Sequence, residues 1–510
     1  MRQTCPHSTT SVDPQPYRRR HPEDTVLYQV LQQHLETFLA ERQAEDRPLP
    51  SFVERELRRF LECGIFAHGF VRCRCPVCGR DRPVAFSCKG RAFCPSCGGR
   101  RMAERAAHWI DHVLPAVPIR QWVLSVPFRI RYLTAFDAGL VTQVLGAFLS
   151  TVFAWHRRRA RRLGLSDAQT GSITAIQRSG SALNLNVHFH ALVFDGVWHL
   201  DGQDSTPSFR ELPPPTDGEV AQVATAVRRR VLRRLTRLDI LSEDEFYGPD
   251  PLLMDEPLLA GCYGASVQGR IATGPRAGQR VERYGGLAGL PVAEVASPQC
   301  AQVDGFSLHA NTAIAADQRD RLERVARYIA RPPVANDRLE LHSDGKIALR
   351  LKTEWSDGTT HVRFTPGELI EKLAALVPTP RANLIRYHGV LAPHAAFRPH
   401  IIPRPIVISP LATPEVEEDP TIDSSSREES SSDQSPESIP TRRIYYTWAQ
   451  LLARVFLIDV LACPDCGSRM KVISVITDPE VIVPFLECVG LPPRPPPISP
   501  ARAPPESFWS

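Results

Sequence analysis

Two cysteine pairs with metal-ligand spacing are the strongest chemical signal in this 510-residue sequence. Cys75-Pro-Val-Cys78 and Cys94-Pro-Ser-Cys97 are separated by fifteen residues. Four thiolates at this spacing can close a tetrahedron around one zinc ion. Cys88 lies between the pairs and is a reserve ligand. We therefore predict one structural zinc bound by the two pairs.

A second zinc site is an open alternative, because further cysteines lie near the two pairs. Cys63, His68 and Cys73 precede the two pairs and could replace a ligand or help to hold another ion. A further pair, CPDC at 463–466, is half of a zinc site without an evident partner. We interpret it as a small structural knuckle that is completed by Cys488 or by another chain.

A histidine pair could hold a different metal. His188-Phe189-His190 lies in the segment NLNVHFHALVF, whose pattern predicts a β-strand. Side chains alternate along a strand, so both imidazoles share one face and Phe189 points to the other. Two convergent imidazoles can bind one divalent ion, although two ordinary strand histidines fit the same pattern. Gln177, on the preceding predicted strand, is a candidate third ligand.

Tyr328 is the candidate nucleophile. It lies in LERVARYIARPP, which has the periodicity of an amphipathic helix and ends before two prolines. A metal held by the histidines would bind a scissile phosphate, and a tyrosine oxygen beside it could attack in line. The adjacent Tyr445-Tyr446 pair is a poor candidate, because its rings point to different sides of any regular element.

The charge balance favours nucleic acid as a partner. The chain has 61 Lys and Arg residues, of which only five are Lys, and a net charge of +5. Residues 406–440 hold nine acidic residues and one Arg, so the remainder is more basic than the total suggests. Guanidinium groups bind phosphate bidentately, but a GC-rich genome would also enrich arginine. Arg100 and Arg101 flank the cysteine region and make it a candidate DNA-binding surface.

No membrane partner is expected. No apolar run approaches the roughly 20 residues that a membrane helix needs. Residues 1–20 are polar and contain proline, which is not typical of a signal peptide. We therefore expect a cytoplasmic protein.

The patterns predict a multidomain α+β protein. Helical and strand-like segments mix across a body of roughly 300 residues, whereas the Ser, Pro and acidic residues at 406–440 cannot bury enough apolar surface to fold. The predicted units are N-terminal helices at 1–62, a zinc module at 63–103, the body at 104–405, a disordered linker at 406–440, a small CxxC region at 441–490 and a Pro-rich tail at 491–510.

The sequence resembles the IS91/ISCR-like transposases, the rolling-circle (HUH) enzymes of bacterial insertion sequences. Three matching stretches are CRCPVCGRDRPVAFSCKGRAFCPSCGGRRM, NLNVHFHALVFDGVW and LERVARYIARPP. RYHGVLAPH at 386–394 and LLARVFLIDVLACPDCGSRM at 451–470 extend the resemblance. These stretches occur in the order found in the family.

The resemblance implies an HUH-type nuclease domain with an antiparallel sheet core and flanking helices behind the zinc module. It also implies cleavage and rejoining of single-stranded DNA at the ends of the element. In that scheme His188 and His190 bind Mg²⁺ or Mn²⁺, and Tyr328 forms a 5′-phosphotyrosine link. Arg324 stands four residues before Tyr328, where two-tyrosine members carry their other tyrosine, so the chain resembles the single-tyrosine subgroup. Arg324 shares a helical face with Tyr328 and could hold a phosphate.

A second function class stays open, namely a non-catalytic, zinc-dependent DNA-binding protein in which the histidine pair is incidental. Divalent-metal-dependent nicking of single-stranded DNA separates the two interpretations. For the enzyme, the expected partners are single-stranded ends and target DNA in the bacterial nucleoid. A homo-oligomer, a host helicase and host replication proteins are open questions.

Overall fold

The computed structural model of the chain describes residues 15–16, 19–200, 206–240, 250–285, 297–403, 448–456 and 458–502. The predicted linker at 406–440, the Tyr445-Tyr446 pair and residues 503–510 of the tail lie outside the described residues. Residues 491–502 of the tail form no helix or strand. They run beside the first long helix, where Gln32 Nε2 donates to the carbonyl of Pro497 at 2.8 Å.

The helices follow the amphipathic patterns of the sequence. Thr216 and Thr365 each begin a helix with a capping box, in which the threonine and the glutamate three residues later satisfy each other's backbone N–H groups. The α-helices of the described residues are α1 Val26–Ala44, α2 Ser51–Leu61, α3 Pro95–His112, α4 Phe128–Phe136, α5 Ala138–Arg162, α6 Asp217–Arg237, α7 Pro251–Asp255, α8 Pro257–Val267, α9 Arg319–Ala330, α10 Pro366–Leu376, α11 Arg398–Ile401, α12 Trp448–Phe456 and α13 Pro479–Cys488.

The strands range from two to ten residues and form several sheets. They are β1 Gln15–Pro16, β2 Phe70–Arg74, β3 Asp81–Ala85, β4 Ile119–Ser125, β5 Gly171–Ser179, β6 Leu185–Phe194, β7 Gly196–His199, β8 Ser208–Glu211, β9 Glu282–Tyr284, β10 Cys300–Val303, β11 Phe306–Ile314, β12 Leu339–Leu341, β13 Ile347–Arg350, β14 His361–Phe364, β15 Ile385–Gly389, β16 Ile458–Asp459 and β17 Lys471–Ile476.

A six-stranded antiparallel sheet forms the centre of the body. Its strand order is β10-β11-β4-β6-β5-β15, and each neighbouring pair is antiparallel. Strand β6, which carries the histidine pair, lies in the interior between β4 and β5. Interior strands are held by ladders on both edges, so this position fixes the histidines firmly.

Helices cover both faces of this sheet, and the alternation along β6 decides which face the histidines join. Phe189, Ala191 and Val193 pack in the core that contains α5 and α6. Leu192 and Phe194 pack in the other core, with buried residues of α3 and α9. His188 and His190 lie on the same side of the strand as Leu192 and therefore face α9, the helix that carries Tyr328.

The cysteine-rich module is completed by the C-terminal part of the chain. Strands β2 and β3 form a hairpin, and β17 adds to it antiparallel to β2. Residues 63–103 and 441–490, which the sequence patterns separate, thus share one sheet. The predicted α+β class, with an antiparallel core behind a cysteine module, is confirmed.

One helix of the described residues has the length and composition of a membrane span. It is α5, Ala138–Arg162, and 61% of its apolar window is buried inside the protein. Its buried side chains, including Val144 and Phe148, pack in the larger core. Burial of this kind is what a core helix shows.

Candidate active site

The two imidazoles of the His-Phe-His segment lie side by side. Their ring centroids are 4.8 Å apart, and His190 is 6% exposed. Phe189 between them is fully buried on the opposite face of the sheet. The structure therefore brings the histidines together as the strand pattern predicts.

Hydrogen bonds orient both rings. His188 Nδ1 lies 2.7 Å from the carbonyl oxygen of Asn186, so that Nδ1–H donates and Nε2 keeps its lone pair. His190 Nδ1 lies 2.7 Å from the side-chain nitrogen Nε2 of Gln121. Turning this amide over, which exchanges its nitrogen and oxygen positions, brings the oxygen to the ring; Nδ1–H then donates to it and Nε2 is free to bind a metal.

A divalent ion fits this arrangement. Nε2 of His190 is buried and has no hydrogen-bond partner among the described residues. A buried nitrogen without a partner loses solvation energy unless something binds it. Because His188 offers a second imidazole nitrogen beside it, one ion could be shared by the two rings.

Burial keeps both histidines neutral at pH 7. It lowers the pKa of His188 to about 4, against the raising effect of the hydrogen bond to the Asn186 carbonyl. Burial, followed by the charges of His188 and Arg331, holds the pKa of His190 well below its usual range. Neutral imidazoles can bind a metal without first releasing a proton.

Tyr328 lies on α9 beside the histidines. Its ring centroid is 6.5 Å from that of His190, and half of its surface is exposed. The guanidinium carbon of Arg331 lies 3.7 Å from the centroid of the tyrosine ring. This cation–π contact steadies the phenol and adds a positive charge beside it. The tyrosine oxygen is thus accessible to a substrate that reaches the histidines.

Gln177 has a contact that the sequence did not predict. It lies directly opposite His188 in the register of β5 and β6. Its Nε2 donates to the carbonyl of Ile329 at 2.6 Å and lies 3.5 Å from that of Tyr328. These carbonyls belong to the last turn of α9, where intrahelical partners are missing. Gln177 therefore fastens the tyrosine helix to the sheet, and in the described residues its amide has no hydrogen bond to either histidine.

The predicted DNA-contacting arginines differ in their surroundings. Arg324 is exposed one turn before Tyr328, and Arg100 is exposed on α3. Arg101 is partly buried, and its Nη2 donates to the carbonyl of Gly90 at 2.6 Å. Arg101 therefore holds the loop before the second cysteine pair as well as contributing charge.

An arginine-lined cleft begins next to this site, between α3 and the end of α9. Gln177 of β5 lies in its wall. Five guanidinium groups line it, and none of the five forms an ion pair among the described residues. They are Arg91, Arg101, Arg105, Arg178 and Arg331.

The charge of the cleft is not cancelled by acidic neighbours. Arg178 Nη1 donates to the carbonyl of Ala135 at 2.5 Å, which leaves its positive charge intact. Burial, followed by the charges of Arg101 and Arg91, lowers the pKa of Arg105 to about 10. Arg105 is still protonated at pH 7. A channel of this kind attracts a phosphate backbone.

The cysteines form two clusters, which corrects the prediction of a single site made of Cys75, Cys78, Cys94 and Cys97. In the first cluster Cys94 and Cys97, at the start of α3, meet other cysteines, one of which follows α2. Sγ atoms of Cys63 and Cys97 are 3.8 Å apart, and those of Cys88 and Cys97 are 3.5 Å apart. The first cluster is Cys63, Cys88, Cys94 and Cys97.

All four side chains of the first cluster are buried. The pKa of the Cys97 thiol is well below its usual value, because the thiols of Cys63, Cys88 and Cys94 donate hydrogen bonds to it. One thiolate is thus favoured before any metal binds. Buried cysteines that converge in this way are typical of a structural zinc site. Cys88, predicted as a reserve ligand, is a full member.

The second cluster is Cys75, Cys78, Cys463 and Cys466. The interpretation that Cys488 completes the CPDC pair is wrong, since Cys75 and Cys78 occupy that place. Cys73 and His68 belong to neither cluster.

The first cluster is connected through α3 to α9, the helix that carries Tyr328. Helix α3, which begins in the Cys94–Cys97 pair, packs against α9 in the smaller core. At Gly98 the approach is so close that an added Cβ would lie 2.5 Å from Cβ of Pro332. Pro332 follows the end of α9, so the zinc module contacts the segment that carries Tyr328.

Gln121 and Arg331 were missed by the sequence reasoning. Arg331 stands next to α9 in the ARYIARPP segment, so its proximity to Tyr328 is readable from the chain. Gln121 lies in QWVLSV, where only its polar character inside an apolar strand pattern sets it apart.

Two family models match the chain. The model described as "Putative transposase" matches residues 171–398, which include both histidines and Tyr328. The model described as "Transposase zinc-binding domain" matches residues 30–126, which include the whole first cysteine cluster. No curated protein and no solved structure matches the chain.

Proposed function

The chain belongs to the IS91-like transposases, DNA-processing enzymes with a structural zinc module, and from this premise we propose that it cleaves and rejoins single-stranded DNA at the ends of its element. Tyr328 is the nucleophile in this proposal. His188 and His190 are the ligands of a catalytic Mg²⁺ or Mn²⁺. The fold is then an HUH-type nuclease.

The observation that carries the proposal is the convergence of two imidazoles and one phenol on a single face of the central sheet. The His188 and His190 rings are 4.8 Å apart, and the Tyr328 ring is 6.5 Å from that of His190. The orphaned Nε2 of His190 supports a metal between the rings and the substrate. Nε2 of the buried His156 lacks a partner as well, so the specific support is the second imidazole and the phenol that lie beside His190.

The reaction is a transesterification. The Tyr328 oxygen attacks the scissile phosphorus, the bond to the leaving 3′-oxygen breaks, and a 5′-phosphotyrosine link and a free 3′-hydroxyl result. The phenolic proton leaves as the oxygen attacks, and a proton is taken up by the departing 3′-oxygen. A divalent ion on the imidazoles supplies charge stabilisation at the phosphate when it is bound. Rejoining is the same exchange in reverse with a new 3′-hydroxyl.

Protein groups position the nucleophile. Gln177 holds the last turn of α9 through the Ile329 carbonyl, and Arg331 packs over the tyrosine ring. A nucleophile fixed close to the phosphate needs less ordering in the transition state. The Arg331 charge beside the ring can also offset negative charge that develops on the phosphate.

The arginine-lined cleft is the proposed path of the DNA strand. Arg105 and Arg178 lie in its wall together with Gln177 of the active site. Exposed Arg324 and Arg100 extend the positive surface on α9 and α3. Contacts of this kind bind phosphates without reading sequence.

A covalent trapping experiment tests the proposal. Full-length protein is incubated with single-stranded ends of its own element and Mg²⁺ or Mn²⁺, and the protein–DNA adduct is isolated and mapped. We expect one adduct, at Tyr328, and its complete loss in Tyr328→Phe with zinc content and DNA affinity unchanged. Tyr284→Phe, at an exposed tyrosine of β9, is the matched control and should form the adduct normally.

Two outcomes would contradict the proposal. An adduct that persists in Tyr328→Phe would assign the chemistry to another residue. DNA binding without any metal-dependent nicking would favour the non-catalytic, zinc-dependent DNA-binding protein instead.

A further inference from the structure

Four cysteines from distant parts of the chain meet at the edge of the N-terminal module. Sγ atoms of Cys75 and Cys466 are 3.5 Å apart, and so are those of Cys78 and Cys463. All four sulfur atoms lie within 4.8 Å of one another. We propose that they bind a second zinc ion, which fastens the C-terminal segment at 458–491 to the N-terminal module.

The sulfur distances match a metal site and not a pair of disulfides. Four thiolates at about 2.3 Å from a tetrahedral zinc are about 3.8 Å from one another. A disulfide would bring two sulfurs to about 2.05 Å. The 3.5 Å separations across the cluster lie close to the first value. Each close contact also joins one cysteine of the module to one of the C-terminal pair.

The two halves of the cluster have the same local geometry. In one, the Gly79 N–H donates to the Cys75 carbonyl at 3.0 Å, and in the other the Gly467 N–H donates to the Cys463 carbonyl at 3.0 Å. Both glycines have a left-handed backbone, with φ of 74° and 71°. Two matching knuckles that face each other offer four thiolates in a closed arrangement, the form that structural zinc takes.

Polar contacts from both sides surround the cluster. Arg80, next to the first knuckle, pairs with Asp465 of the second at 2.8 Å. Arg82 Nη1 donates to the carbonyl of Val460 at 2.7 Å. Zinc with four thiolates carries a net negative charge, so arginines beside it lower the electrostatic cost of the site.

Apart from the β2–β17 ladder, the C-terminal segment has little apolar packing to hold it. Val472 and Val475 of β17 are 61% and 64% exposed, so this strand buries few apolar side chains. The core beneath it contains only a handful of buried residues, Phe66, Phe70, Ile476, Ile482 and Leu486. Small units with a core of this size are commonly stabilised by a metal or by disulfides.

The family match does not account for this site. The zinc-binding domain model ends at residue 126, so it contains Cys75 and Cys78 but neither Cys463 nor Cys466. The proposed ion therefore closes the chain on itself across 385 residues. The first cluster has its own four cysteines and would hold a separate ion.

Metal counting on the full chain tests the second site. We expect two zinc ions per chain in reduced wild-type protein, by elemental analysis and native mass spectrometry. Cys463→Ser/Cys466→Ser should retain one. Cys488→Ser is the matched control, because it removes an exposed cysteine of the same segment that belongs to neither cluster, and it should retain two. One zinc in the wild type, or two in the double variant, would overturn the proposal.

A second measurement tests the fastening itself. A protease site is placed in the 406–440 segment of the full chain, and the protein is cut after purification. The C-terminal fragment should co-elute with the body in the wild type and in Cys488→Ser, and should separate from it in Cys463→Ser/Cys466→Ser. Equal retention in the double variant would show that zinc does not fasten the segment. Neither readout depends on DNA cleavage, so the result is independent of the proposed reaction.

Discussion

Single residues decide whether the histidines can present free nitrogens to a metal. The backbone carbonyl of Asn186 contacts His188 Nδ1 and the side-chain amide of Gln121 contacts His190 Nδ1, at 2.7 Å in both cases. The shared face of the two histidines could be predicted from sequence, because strand alternation is a local property, whereas Tyr328 is singled out among the tyrosines by the family resemblance. Gln121 could not be predicted, since its contact with His190 depends on how β4 and β6 pair, a non-local property.

Gln121→Leu should weaken metal binding. The change removes the partner of His190 Nδ1 and leaves the ring free to turn or to take the wrong tautomer. Loss of such an outer partner typically costs about 10- to 100-fold in metal affinity. Titration of Mn²⁺ into zinc-loaded protein, followed by electron paramagnetic resonance or calorimetry, measures the change.

Two further variants make this test specific. Gln121→Glu offers only oxygens to the ring, so that one of them accepts from Nδ1–H, and should preserve Mn²⁺ affinity. Gln302→Leu, at an exposed position of β10, is the control for replacing glutamine on the same sheet. Equal affinity in Gln121→Leu and Gln302→Leu would remove the assigned role of Gln121.

At the scale of elements, the cysteine pairs show what the spacing of residues can predict about a metal site and what it cannot. The CxxC pattern correctly predicts metal-ligand pairs, but it does not say which pairs meet. The 75–78 pair lies in the turn of the β2–β3 hairpin. The 94–97 pair lies at the start of α3, whose first residue is Pro95. The two pairs are therefore directed apart. Their partners lie in segments that only the folded chain brings near.

The contact between α3 and α9 should make Gly98 sensitive to substitution. In Gly98→Ala the new Cβ would lie 2.5 Å from Cβ of Pro332, so the segment after α9 must move. Overpacking of this kind costs about 1–3 kcal/mol. It should also displace Tyr328 and lower the nicking rate, because small misplacements of a nucleophile are costly. Thermal unfolding and single-turnover nicking measure the two effects.

Gly99→Ala is the matched control for that prediction. Gly99 is the next residue of α3 and has nothing within 4 Å of an added Cβ. Alanine in a helix is favoured over glycine by about 0.5–1 kcal/mol, so this variant should be as stable as the wild type or more so. If both alanine variants behave alike, the α3–α9 contact does not constrain the tyrosine.

At the scale of the whole molecule, buried histidines link stability to pH. His156 of α5 is fully buried, and burial lowers its pKa to about 4, against the raising effect of its hydrogen bond to the Val152 carbonyl. His188 and His388 have pKa values lowered to about 4 by burial as well. An unfolded histidine has a pKa of about 6.5. The unfolded chain therefore binds protons between these two values that the folded chain does not.

The sign of the effect follows from this difference. The stability contributed by a neutral buried histidine is fully present above about pH 6.5 and is lost as the pH falls toward 4. Each histidine should lower the free energy of unfolding by at most about 1.4 kcal/mol per pH unit within that window. Carboxylates with lowered pKa values, such as Asp81 and Glu282, lose their contribution only below the pKa of the unfolded side chain, which is about 4.

Urea unfolding between pH 7.5 and 5.5 tests this for His156. The wild type should lose stability steadily over the range, and His156→Gln should show a shallower slope by about 1 kcal/mol per pH unit at its lower end. The slope is the informative quantity, because glutamine at a fully buried position changes the stability at every pH. His342→Gln, at an exposed position, should keep the wild-type slope. An unchanged slope in His156→Gln would mean that this histidine takes up its proton without unfolding, and that acid sensitivity arises elsewhere in the molecule.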